Sequence, residues 1–242
     1  MSTYTVALKS RREVADRTMA FHFEKPAGFT FKPGQAVDIT LPTPAGAPAS
    51  RDALLHTFSL VSAPFQDDLV IATRMRDSAF KRALGALPVG TKVTLDGAAG
   101  SLTLSSKSTR PAIFLAGGIG ITPFVSMLQQ AAHDKSPRHL VLLYSNRRPE
   151  DAAFLDELTQ LSQRNPNFRL IATMTQMDAS QQPWGGETGL IDAAKIRLAS
   201  EGLADPIHYL AGPPGMVEAL RETLEEAGVD EDDIRSEEFF GY

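Results

Sequence analysis

The 242-residue sequence contains no cysteine, so it supplies no disulfide, no thiolate nucleophile and no cysteine-held zinc or iron-sulfur cluster. It also lacks any apolar run near the roughly 18 residues needed to cross a bilayer. The first residues, Met1-Ser2-Thr3-Tyr4-Thr5-Val6, hold no basic segment leading into an apolar core, so no signal peptide and a cytoplasmic location are expected. Concentrated positive charge is missing as well: the net charge is −5, and nucleic-acid binding, which needs a basic stripe, is not expected. There is no internal repeat and no low-complexity tract.

What is present changes character along the chain. Residues 1–108 carry 13 Lys/Arg against 9 Asp/Glu, a charge of +4, whereas residues 109–242 carry 11 against 20, a charge of −9. The asymmetry fits either two solvated surfaces of different sign or a steering role. At about 150 residues per domain the length allows one large or two small domains. In the first half, Met19, Phe21 and Phe23 share one face, as do Leu69, Ile71, Thr73 and Met75, the period of two that marks strands. Proline and glycine at Pro26 to Gly28, Pro33-Gly34 and Pro42 to Pro48 separate such runs, predicting a small β-barrel or sandwich. One helix is expected after an Asp77-Ser78 cap, with Phe80, Ala83, Leu84 and Leu87 at helical spacing.

The second half alternates strands and helices. Ala112 to Ala116 reads as a strand buried on both faces, running through Gly117-Gly118-Ile119-Gly120 into a helix. His139 to Tyr144 and Phe168 to Thr173 read as further strands around a helix over Glu150 to Leu161. His208 to Ala211 then leads into a helix carrying Met216, Leu220 and Leu224. These βαβ units predict a parallel sheet with ligands at the carboxyl ends of its strands. The expected division is a β domain over 1–106 and an α/β domain over 107–242, joined near Ser106.

Three segments carry chemistry. The turn Gly117-Gly118-Ile119-Gly120-Ile121-Thr122-Pro123 lets backbone approach a pyrophosphate, and the following helix start offers unpaired N–H groups. Pro123 fits a first helical turn. Leu210-Ala211-Gly212-Pro213-Pro214-Gly215-Met216 is a second strand-to-helix junction, able to open on the same sheet edge. Each alone is also an ordinary tight turn. The third segment is His56-Thr57-Phe58-Ser59-Leu60, in the β half, preceded by Pro33-Gly34-Gln35.

In order and spacing these segments resemble the ferredoxin-NADP reductase superfamily, a flavin-binding barrel followed by a nicotinamide-nucleotide domain. His56-Thr57-Phe58-Ser59 resembles its Arg-x-Tyr-Ser flavin motif, Gly118 to Pro123 its nucleotide motif, and Ala211 to Met216 its Cys-Gly-Pro-x-x-Met with the cysteine lost. Tyr144-Ser145-Asn146-Arg147 resembles the segment near the nucleotide ribose, and Glu237-Glu238-Phe239-Phe240-Gly241-Tyr242 a bacterial C-terminal ending. The resemblance implies an NAD(P)H-dependent flavoprotein reductase that binds FAD, with FMN the alternative, and takes hydride from NADH or NADPH. Its electrons would pass to a separate acceptor such as ferredoxin or flavodoxin, whose acidic surface the +4 half would attract. The alternatives are a diaphorase-like reductase of quinones, free flavin or oxygen, and a non-catalytic nucleotide-binding subunit.

The resemblance also implies roles. Ser59, Thr122 and Tyr242 are the candidate catalytic residues, with the Ser59 hydroxyl near flavin N5, Thr122 and Met216 beside the nicotinamide, and Tyr242 over the flavin face. Cofactor contacts would further come from His56, Thr57, Phe58, Arg74, Ser78, Phe80, Gly117, Gly118, Gly120, Asn146, Arg147, Gly212, Pro213 and Phe240, and no metal is expected. Phe58 also suits barrel core, Ser78 a helix cap, Met216 helix packing and Tyr242 a frayed end. His56 stands where the family has arginine and is a weaker phosphate partner, which implies flavin binding that weakens as pH rises through neutrality. Arg147 and Arg148 suit a 2′-phosphate, yet Thr173 to Gln176 lacks the family's Ser-Arg signature, so the expected donor is NADH.

Overall fold

The structure, a computed structural model, describes residues 2–43, 54–104 and 108–240. The junction expected near Ser106 and the candidate Tyr242 lie outside these residues.

The first half is a six-stranded antiparallel sheet of β1 (Ser2–Ala15), β2 (Thr18–Glu24), β3 (Ala36–Thr40), β4 (Leu55–Ser59), β5 (Asp68–Arg74) and β6 (Lys92–Ala99), in the order β4-β3-β6-β1-β2-β5. The long β1 makes it curl, because Ser2 to Ala7 pair with β6 while Leu8 to Ala15 pair with β2. The edge strands β4 and β5 do not pair along their length, so the barrel is not closed. Just past β4, the Val61 N–H donates to the Val70 carbonyl at 2.8 Å and draws the two edges together. Alternation puts Phe21, Phe23, Leu69 and Ile71 inside, packed on Val6, Leu8, Phe58 and Phe80. Helix α1 (Ala79–Ala86) begins at Ser78, whose hydroxyl accepts from the Lys81 N–H; this is the expected cap.

The second half is a parallel sheet of β7 (Ala112–Gly117), β8 (Leu140–Asn146), β9 (Phe168–Met174), the two-residue β10 (Glu187–Thr188), β11 (Ile207–Gly212) and β12 (Ile234–Glu238). Its order is β10-β9-β8-β7-β11-β12. Helices α2 (Thr122–His133), α3 (Leu155–Arg164), α4 (Ala193–Ser200) and α5 (Pro214–Glu226) flank it. Every residue of β7 and β11 is buried, as their unbroken apolar runs require. Strand order reverses between these two neighbours, which is where a ligand crevice opens in such sheets.

Two expectations need correction. The helix predicted from Glu150 begins only at Leu155, because Pro149–Asp151 form a separate 3₁₀ turn and Phe154 sits at φ 61° in the left-handed region. β12 escapes a reading by hydrophobicity: it is an edge strand with one buried residue, Ile234.

The halves share one core. Ala20, Val61, Ala72 and Leu102 belong to the same buried cluster as Ile121, Phe124, Val125 and Met127 of α2 and its approach. Across the same face the Asp16 N–H donates to the Glu150 carbonyl at 2.7 Å, Arg148 pairs with Asp16 and Asp151, and Arg74 pairs with Asp151. No described helix is long and apolar enough to cross a membrane.

Candidate functional site

The carboxyl ends of four parallel strands line one opening of about 450 Å³. Gly117 ends β7 and Gly118 and Ile119 follow it, Ser145 and Asn146 end β8 and Arg147 follows, Thr175 follows β9, and Pro213, Pro214 and Met216 follow β11; Arg74 and Arg76 come from the other half. The glycines explain how two strand-to-helix turns lie so close. A Cβ on Gly120 would meet the Ala211 carbonyl oxygen at 2.4 Å, and one on Gly117 the Met216 sulfur at 2.3 Å. Gly118 has φ 53° with nothing within 4 Å of an added Cβ, so its backbone faces open space at the start of the turn. Gly120 and Gly212 are buried in backbone packing and are absent from the lining. Their contribution is to let Gly117 and Gly118 line the opening.

A second cavity of about 270 Å³ lies between the sheets. It is lined by His56, Thr57, Phe58 and Ser59 of β4, Ala72 and Thr73 of β5, Lys81 of α1, Ile119 and Thr122 of the nucleotide half, and Glu237 to Phe240. Ile119, Phe239 and Phe240 border both spaces, so the two form one cleft. The Ser59 hydroxyl is buried and makes no hydrogen bond, an arrangement that calls for a partner. Thr122, 3% exposed, reaches the same cavity from the other half while its hydroxyl donates to the Ile119 carbonyl at 3.2 Å. Phe240 is 71% exposed at the rim.

The other candidates divide. Phe58 packs on Phe80 at 5.6 Å and on His56 at 5.4 Å, and keeps a place in the cavity wall. Phe80 stands behind it, out of the lining. Ser78 also lies outside the lining, its hydroxyl spent on capping α1. The Thr57 hydroxyl donates to Asp38 across β3 and β4. Asn146 and the exposed Arg147 line the larger opening. Arg148 does not: it is held by Asp16 and Asp151, which leaves Arg147 as the arginine of that pair at the cleft.

Two electrostatic features depart from expectation. Burial, and then the charge of Lys81, lower the His56 pKa from its ordinary value, so His56 is neutral around neutral pH. The pH dependence expected through neutrality is therefore displaced to more acidic pH. Burial raises the pKa of the Glu237 carboxyl above its ordinary value, and this carboxyl lines the cavity wall. Sequence reasoning did not assign Lys81, Glu237, Phe239 or Arg76. Lys81 had a visible signal, a lysine beside Phe80 and three residues before Leu84 on the buried side of α1.

Residues 114–222 match the family model of the oxidoreductase NAD-binding domain. The glycine betaine monooxygenase reductase subunit of Chromohalobacter salexigens is 26% identical over 226 residues, covering 92% of this chain and 60% of that protein. Ferredoxin–NADP reductase B of Sorangium cellulosum is 29% identical over 214 residues, covering 85% of this chain and 84% of that protein. Among solved structures, the FAD/NAD-binding domain of the Vibrio cholerae nitric oxide dioxygenase superposes with a TM-score of 0.83 at 21% identity, covering 97% and 98% of the two chains. The chain is thus similar over nearly its whole length to proteins of the ferredoxin-NADP reductase superfamily, and shares their fold. It spans about three fifths of the length of the first monooxygenase reductases it matches. The superfamily's two-part fold, antiparallel sheet then parallel sheet, accounts for a single cleft built from both halves.

Proposed function

We propose that this chain is an NAD(P)H-dependent flavoprotein reductase, with FAD in the smaller cavity and the nicotinamide nucleotide along the carboxyl edge of the parallel sheet. The observation that carries this reading is the single cleft in which a buried, unpartnered Ser59 hydroxyl and Thr122 face one cavity while the Gly117-Gly118 turn faces the adjoining one. The residues fit the cofactors: an aromatic wall at Phe58, a hydroxyl awaiting a partner, and a glycine turn on which a pyrophosphate rests without meeting a side chain. Held there by Phe58, Ser59 and Thr122, a flavin would supply hydride acceptance from reduced nicotinamide and electron transfer to a separate acceptor.

The chain's own residues supply position. Phe58 presents a ring face, Ser59 offers a hydrogen bond at the cavity floor, and Thr122 and Met216 bring the nucleotide half up to it. Phe240 stands at the shared rim, where a nicotinamide would enter. With Arg148 tied to two carboxylates, Arg147 is the one arginine after β8 that lines the opening, which supports NADH as the better donor. Because the 242 residues contain no cysteine, they hold no cysteine-ligated cluster to take the electrons onward. The relatives named as reductase components of oxygenases support a protein acceptor over a small molecule.

Reconstitution with FAD followed by anaerobic addition of NADH tests the reading. Bleaching of the flavin band, faster with NADH than NADPH, is expected; a protein that retains no flavin, or a flavin that NADH leaves oxidised, overturns it. A carrier acceptor docked by charge would be reduced more slowly as salt is raised, whereas a quinone would not.

A further inference from the structure

Serine is an indifferent helix former, because its hydroxyl competes for nearby backbone groups, yet Ser126 sits in the second turn of α2 and is 0% exposed. Its hydroxyl does not turn back onto its own helix. It crosses to the other half and donates to the Ser62 carbonyl at 2.7 Å. Ser62 is itself fixed: its hydroxyl accepts from the Val70 N–H of β5 at 2.9 Å, and the N–H of its neighbour Val61 donates to the Val70 carbonyl. The bond therefore ties α2 to a point three residues beyond Ser59.

The same turn of α2 meets a second approach to Ser59. A Cβ on Gly34 would lie 2.3 Å from the Met127 terminal methyl and 2.2 Å from the Leu102 carbonyl oxygen, and its φ of 93° is one that glycine adopts freely. The next residue, Gln35, accepts at its carbonyl from the Leu60 N–H at 2.9 Å, and Leu60 directly follows Ser59. The second turn of α2 thus holds the chain leaving Ser59 at two points, at Ser62 directly and at Leu60 by way of Gly34 and Gln35. Thr122 stands one helical turn before Ser126, on the same face of α2, and lines the cavity that Ser59 also lines. The ion pairs between the halves, Arg148 with Asp16 and Arg74 with Asp151, are made outside α2.

We propose that Ser126 is a positioning residue for hydride transfer: its bond to Ser62, with the close packing at Gly34 beside it, sets how far the helix start at Thr122 stands from Ser59. The inference rests on the flavoprotein reading, which puts the nicotinamide beside Thr122 and the flavin ring beside Ser59. In that reaction the hydride leaves reduced nicotinamide with both electrons of its C–H bond and forms an N–H bond on the flavin, oxidising the one and reducing the other with no further reactant. A misplacement of about 1 Å is enough to slow such a step by up to about a hundredfold, while the rest of the cleft still holds both ligands. Ser126 lines neither cavity of the cleft, so its effect on the rate passes through Thr122 and Ser59.

A rate, two affinities and a distance decide the matter. The full chain, reconstituted with FAD, is mixed anaerobically with NADH for the wild type, Ser126→Ala, Ser126→Thr and Ser126→Val, the last two being of equal shape and differing in the hydroxyl. Flavin bleaching at saturating NADH should slow roughly tenfold in Ser126→Ala, and Ser126→Thr should bleach about tenfold faster than Ser126→Val. FAD affinity and the half-saturating NADH concentration should stay within about twofold of wild type, since the contacts that bind are untouched. The second readout needs no cofactor: because the chain has no cysteine, spin labels on Lys92→Cys in β6 and Gln160→Cys in α3, both exposed positions, report the distance between the halves. Ser126→Ala should shift or broaden that distance. An unchanged bleaching rate in Ser126→Ala, Thr and Val variants that bleach alike, or an unaltered distance overturns the assignment. A slower rate matched by an equal loss of FAD affinity overturns it too, because Ser126 would then serve only the fold. A wild type that binds no FAD, or whose FAD NADH leaves oxidised, overturns the reductase reading and this role with it, whereas normal wild-type bleaching beside an unaffected Ser126→Ala overturns the role alone.

Discussion

Ser59 and His208 are both buried and each keeps a polar atom without a hydrogen bond, yet they lead to different expectations. Ser59 lines a cavity, where its hydroxyl is placed to meet the flavin of the proposed function. Ser59→Ala should leave FAD bound within a few-fold and slow flavin reduction by NADH roughly tenfold, the worth of one hydrogen bond; stopped-flow reduction under anaerobic conditions measures it, and an unchanged rate removes Ser59 from the mechanism. His208 faces packed protein in β11, and burial, eased by Asp233 and reinforced by Arg110, lowers its pKa to about 4. The unfolded chain therefore takes up this proton first, near the ordinary value of about 6.5. Stability is unaffected above that pH and falls as pH drops toward about 4, by up to about 3 kcal/mol. Urea unfolding across this window should show a shallower decline for His208→Gln than for the wild type.

The elements that build the cleft were legible where burial is extreme. β7 and β11 read as unbroken apolar runs because both faces are covered, and the glycines that follow them marked the turns. α1 was legible from its cap. The start of α3 was not, because Phe154 adopts a left-handed conformation that no local preference of phenylalanine favours. β12 hid behind the sequence Ile-Arg-Ser-Glu-Glu, whose place is set by pairing with β11 and not by hydrophobicity. At the site, the structure brings most of the motif residues to one cleft, but which glycines line it was not legible, since that depends on contacts remote in sequence. That division can be tested. Gly120→Ala drives a Cβ into the Ala211 backbone and should cost about 1–3 kcal/mol, with nucleotide affinity falling alongside. Gly215→Ala, whose Cβ meets nothing within 4 Å in the first turn of α5, should leave the melting temperature the same or raise it. Equal effects of the two would show that the β7–β11 approach is not tight.

Over the whole molecule, the two sheets are held by packing and charge together. Asp151, its side chain 8% exposed, takes both Arg148 and Arg74. Burial pushes its carboxyl up, but the hydrogen bond and charge of Arg148, with Arg74 behind it, bring it below the ordinary carboxylate range. Its contribution to stability is therefore present above about pH 4 and lost as pH falls below it. Asp151→Asn should destabilise the protein by about 2–4 kcal/mol at neutral pH, since two arginines lose a buried counter-charge. The difference from wild type should shrink in acid, and thermal melts at both pH values measure it.

The core that runs from Ala20 and Ala72 into α2 has a consequence for the covalent chain itself. Side chains of both halves share that buried cluster, so packing holds the halves together in addition to the chain. Fragments 1–106 and 107–242, produced together in one cell, should find each other and co-purify as a complex that still takes up FAD, whereas Ala72→Lys placed in their shared core should leave them apart. Fragments that never associate would show that the link itself holds the halves in place.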